Sequence, residues 1–131
     1  MSAFAARAAN PYLQTQVQSR TPLELVVMLY DGALRFCTEA RDAIEHRDVA
    51  RRGRAISRAM AIISELHCTL NMEEGGEVAQ SLDKLYGFIR DRLMDASIRQ
   101  DVRPIDEAMR VLTTLREGWT GISNGDPAAP K

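Results

Sequence analysis

The stretch TPLELVVMLYDGALRF, residues 21–36, decides the fold. It opens on a capping box: the Thr21 hydroxyl is placed to accept an orphan N–H of a first helical turn, and Glu24 reaches back to the cap. Pro22 takes the first helical position, where its missing N–H costs nothing. Behind this start Val26, Leu29, Ala33 and Phe36, continued by Ala40 and Ile44, recur at helical spacing. A helix therefore begins here. The residues before it read differently: 1–20 are polar and Ala-rich, contain Pro11 and hold no sustained period, so they are expected to form a flexible segment with one aromatic anchor, Tyr12.

Toward the C-terminus, Asp48 is a good cap for a second helix, marked by Val49, Ile56, Met60, Ile63, Leu66 and Leu70. NMEEGG, residues 71–76, supplies stop and turn chemistry, because glycine enters left-handed backbone without a Cβ penalty. Val78, Leu82, Leu85, Ile89, Leu93 and Ala96 mark a third helix. Asp101 and Pro104 punctuate the entry to a fourth, in which Ile105, Ala108, Leu112, Leu115 and Trp119 keep the period, while Asp106 and Glu107 suit the positive end of its dipole. Three of these helices should run to about 24 residues, or ~36 Å. Connections this short permit only antiparallel neighbours. The expected architecture is all-α: an antiparallel up-down four-helix bundle over residues 21–122, after a flexible segment 1–20 and before a disordered tail 123–131.

Composition agrees and excludes several functions. A chain of 131 residues with 8 Gly and 5 Pro is a single foldable domain rather than a low-complexity sequence. Its 17 Lys and Arg against 18 Asp and Glu give no global field for nucleic acid. No apolar run approaches the ~18 residues that span a bilayer, so no membrane insertion is expected and the chain reads as cytosolic. Cys37 and Cys68 are too few for a disulfide framework, fit no zinc spacing, and are expected to be buried and inert.

The first helix is nonetheless too apolar for its place. Leu25, Val26, Val27, Met28, Leu29 and Tyr30 are consecutive and at 100° steps go all the way round, which three sister helices cannot cover. Ala59, Met60, Ala61, Ile62 and Ile63 repeat the anomaly in the second helix. With the hairpin turn near Arg47, Leu25 lies opposite Leu70 and Ala33 opposite Ile62. Tyr86, Phe88 and Trp119 fall at the same end, and most arginines (41, 47, 51, 52, 54, 58, 99 and 103) at the other. Such a surplus rimmed by polar residues is the sequence image of a groove for a helix or extended peptide. The expected contact residues are Leu25, Val27, Met28, Leu29, Gly32, Ala33, Ile62, Leu66, Leu70 and Tyr86, with Val27 and Ile62 facing outward. Tyr12 is expected to lie on a segment that folds back as a lid until a partner displaces it. Gly32, which costs about 1 kcal/mol relative to Ala in mid-helix, is expected to admit another backbone, a tight crossing inside the bundle being the alternative.

Nothing in the sequence supports catalysis, a metal or a cofactor. Neither His46 nor His67 has the Glu three residues before it that di-iron bundles use. A histidine phosphotransfer module is a rival reading, but His67 is followed by Cys68, Thr69, Leu70 and Asn71, without the Lys that such sites carry. A structural bundle that homo-oligomerises through its apolar end is a second rival. Arg47, Arg51, Arg54 and Arg58 make a basic stripe, which Glu39, Asp42 and Glu45 of the adjacent helix can compensate.

TPLELVVMLYDGALRF (21–36), IISEL (62–66), LNMEEGGEVA (70–79), LDKLY (82–86) and LTTLREGW (112–119), in this order, resemble the flagellar secretion chaperone family FliS over about residues 12–122. The resemblance implies a bacterial cytosolic export chaperone, not an enzyme, that binds the disordered C-terminal segment of flagellin, prevents its premature polymerisation and delivers it to the flagellar type III export gate. It also implies that the segment around Tyr12 covers part of the binding surface.

Overall fold

The computed structural model describes residues 21–123, which form α1 (Pro22–Glu45), α2 (Val49–Cys68), α3 (Gly76–Arg99) and α4 (Val102–Ser123). The expectations for residues 1–20, Tyr12 among them, and for 124–131 lie outside the described residues. Each helix packs on its sequence neighbours, and α1 closes the ring against α4, leaving α1 and α3 diagonal to one another. This is the all-α four-helix arrangement that the periodicity predicts.

The helix ends follow the local chemistry. Thr21 Oγ1 accepts the Glu24 N–H at 3.1 Å with Pro22 at the first helical position, and Asp48 Oδ1 accepts the Arg51 N–H at 3.1 Å. Arg47 turns the chain between them at φ 56°. After α2, Asn71 Oδ1 accepts the N–H groups of Glu73 and Glu74 at 3.2 and 3.0 Å. The two glycines that follow have different reasons. A Cβ on Gly75 would stand 2.7 Å from the Asn71 carbonyl oxygen and 2.6 Å from the Ala79 Cβ, whereas Gly76 takes φ 55°. Asp101 then accepts the Arg103 N–H at 3.0 Å to start α4.

Side chains set the register of the bundle. Arg41 of α1 donates to Asp106 of α4 at 2.8 Å and to Glu45 at 2.7 Å, and Arg116 of α4 pairs with Asp31 of α1. At the α1–α2 turn the interior holds several alanines: Ala40, Ala43, Ala55 and Ala96 are all fully buried. At the opposite end Tyr30, Leu66, Leu82 and Tyr86 fill it. Val49 and Val78 depart from the expected core, at 58% and 49% exposed, because each stands in the first turn of its helix, where neighbouring helices no longer flank it. Cys37 is buried as expected, its thiol pushed up to about 12 by burial, but Cys68, the last residue of α2, is exposed.

Candidate functional site

The apolar end carries a groove between α3 and α4 of about 400 Å³, lined by Glu77, Val78, Ser81, Leu82 and Leu85 on one side and Thr114, Leu115, Gly118 and Trp119 on the other. Val78, Ser81, Leu82 and Leu85 recur every three or four residues, so they share one edge of α3. On α4, Gly118, which has no side chain, lines the groove beside Trp119.

Beneath the groove lies a buried polar pair. The Tyr30 and Tyr86 hydroxyls meet at 2.6 Å across the diagonal of the bundle, and Trp119 packs against the same core. Burial raises the pKa of both phenols, so they remain neutral. The two hydroxyls thereby partner each other inside an apolar core, and the Trp119 ring, packed against that core, walls the groove. On the far side of Tyr86 the His67 ring stands 5.8 Å away, centroid to centroid, with Nε2 bonded to Asp83. His67 is thus a bridge from α2 to α3, and the nitrogen that a phosphotransfer histidine would present is engaged.

The residues expected at the site divide by depth. Leu25, Val27, Met28 and Leu29 are half-buried, as is Leu70. Gly32, Ala33, Leu66 and Tyr86 are buried within the bundle. Ile62, expected to face outward, is a core residue, 9% exposed. Gly32 explains this correction: a Cβ there would lie 3.1 Å from Ile62 Cδ1, so the missing side chain of α1 is the space that Ile62 of α2 fills. Gly32 therefore serves the crossing of α1 and α2 rather than the approach of a backbone from outside. Val27, one turn before Asp31, lies on the edge of α1 that faces α4, since Asp31 pairs with Arg116. Leu25 precedes Gly32 by seven residues and lies on the edge toward α2.

Sequence reasoning missed the α3–α4 groove as a site. Leu85, Leu115 and Trp119 carry the helical period and read as core, and only the pairing of Gly118 with Trp119 hinted at a hollow. Among the described residues, no cluster of three or more His, Cys, Asp or Glu side chains could hold a metal ion, and no helix is long and apolar enough to cross a membrane.

The fold and the site define an all-α bundle with an apolar groove at one end, built on tyrosines and an indole. The family model described as flagellar protein FliS matches residues 5–126, and the chain belongs to that family. It is 38% identical to the flagellar secretion chaperone FliS of Salmonella typhimurium over 88% of this chain and 86% of that one. It is also 38% identical to the flagellar secretion chaperone FliS of Campylobacter jejuni, over 93% and 95%, and 36% identical to that of Bacillus subtilis, over 84% and 84%. Chaperones of this family are non-catalytic, as is this protein.

Proposed function

We propose that the protein is a bacterial cytosolic, ATP-independent export chaperone that holds the disordered C-terminal segment of flagellin, keeps the subunit from polymerising and presents it to the flagellar type III export gate. The groove walled by Val78, Leu85, Leu115 and Trp119 carries this reading. A disordered segment loses entropy when it folds on a surface, and apolar burial must offset that loss. The segment seats in the groove and extends over the half-buried first turns of α1, against Leu25, Val27, Met28 and Leu29. Tyr86, Leu66, Ile62, Gly32 and Ala33 support this surface from within, Leu70 borders it, and Tyr12 belongs to the segment displaced from it. Fully burying one aliphatic side chain contributes roughly 1.5–3 kcal/mol, so Leu85→Glu should weaken the complex at least tenfold. Calorimetric titration of a flagellin C-terminal peptide into the full-length protein is expected to give 1:1 binding with a negative heat-capacity change and a gain of helix signal. Binding equally tight to Leu85→Glu would overturn the assignment.

A further inference from the structure

The α1–α2 face carries a second surface. Phe36 of α1 is half-buried, and two guanidiniums stand over its ring: Arg35 Cζ at 5.3 Å and Arg58 Cζ, from α2, at 5.8 Å. Two like charges are thus held against one aromatic ring, whose quadrupole attracts each of them without neutralising either. The nearby carboxylates are already engaged. Asp42 and Glu39 pair with Arg51, Glu45 with Arg41, and Asp48 caps α2. Among the described residues, Arg35, Arg54 and Arg58 have no carboxylate within ion-pair distance, and all three are exposed. Arg54 precedes Arg58 by one helical turn, so both project from the same edge of α2.

The geometry points to Arg35 and Arg58 about Phe36, with Arg54 one turn further along α2, as a docking surface for an acidic polypeptide segment on the α1–α2 face of the bundle, away from the α3–α4 groove. Guanidiniums in this arrangement match discrete carboxylates through forked hydrogen bonds, and the Phe36 face offers an apolar floor for their stems. The pattern of signs favours a peptide over nucleic acid. Glu39, Asp42, Glu45 and Asp48 lie along the same two helices, and a phosphate backbone, with a charge at every nucleotide, would have to cross them. A peptide can place its carboxylates between them. This surface does not depend on what occupies the groove.

Fluorescence anisotropy with the full-length protein tests the assignment, using as probes a labelled 12-residue peptide whose few glutamates are spaced by serine and glycine and a 12-nucleotide single strand. The peptide should bind more tightly than the oligonucleotide, weaken as salt rises, and lose at least fivefold in affinity with Arg35→Ala/Arg58→Ala. The distant Lys84→Ala/Arg110→Ala pair should leave it within twofold, and thermal melts should show both variants folded. No peptide binding, an equal loss in both double variants, or tighter binding of the oligonucleotide would each overturn the proposal.

Discussion

The two ends of the bundle are made of different materials. Toward the α1–α2 turn the interior mixes several alanines with Ile56 and Ile105, and the surface carries ion pairs such as Arg41 with Asp106 and Arg51 with Asp42. At the other end the interior is aromatic and the surface partly apolar. Alanine lets helix axes approach closely, while Tyr30, Tyr86 and Trp119 need more room between them, because interaxial distance follows the side chains at the contact. The groove lies between α3 and α4 at the end where the large side chains stand. One sequence thus builds an ion-paired end and an open one, and the polar link between Tyr30 and Tyr86 keeps the opening in a single shape.

The largest expected effect breaks the aromatic end. Tyr86→Ala removes a fully buried ring and strands the Tyr30 hydroxyl, and large-to-small changes of this kind cost about 3–5 kcal/mol. Tyr86→Phe keeps the volume and leaves only the unpaired hydroxyl, at about 1–3 kcal/mol. Chemical denaturation of the two variants separates packing from hydrogen bonding; equal losses would mean that the hydroxyl pair contributes most of the stability at this site.

Gly32→Leu tests the junction between the ends. With 3.1 Å from an added Cβ to Ile62 Cδ1, a longer side chain overpacks the α1–α2 crossing and should lower stability by roughly 1–3 kcal/mol. A variant that melts like the parent but loses partner affinity would put Gly32 back on the outer surface.

The cysteines probe the ends without altering the fold. Iodoacetamide under native conditions should modify Cys68, which is exposed, and spare Cys37, whose thiol is buried and held neutral near pH 7. Mass spectrometry after a short pulse distinguishes them; rapid labelling of Cys37 would show that the charged half of the core opens readily.

The smallest effect concerns the ion pairs. The hydrogen bond from Arg51 holds the Asp42 carboxyl below its ordinary value, and Arg103 does the same for Asp101. A depressed folded-state pKa contributes stability that is present above the unfolded value, about 3.9 for Asp, and is lost as pH falls through the folded one. Both pairs are solvent-screened. The melting temperature of Asp42→Asn should therefore fall slightly below that of the parent at pH 6 and converge with it near pH 2.

Much of this was legible in the residues. Thr21, Pro22 and Glu24 named the start of α1, Asp48 that of α2, and Asn71 with Gly75 and Gly76 the turn into α3, because capping is local chemistry within a few residues. The division into apolar and charged ends followed from antiparallel heights alone. What could not be read was rotation. Whether Ile62 faces in or out depends on how α2 turns about its axis, and that is settled by a contact with Gly32 thirty positions away. The groove escaped for the same reason. Leu85 and Leu115 have the period of core residues, yet both line a hollow between α3 and α4.

Amide hydrogen exchange on the full-length protein, with and without a flagellin C-terminal peptide, tests most directly whether cargo sits at the aromatic end. The account predicts that added peptide slows exchange in residues 77–85 and 114–119 and in the first turns of α1, and leaves residues 47–58 unchanged. Protection confined to 47–58, with none along α3 and α4 at the groove, would contradict it.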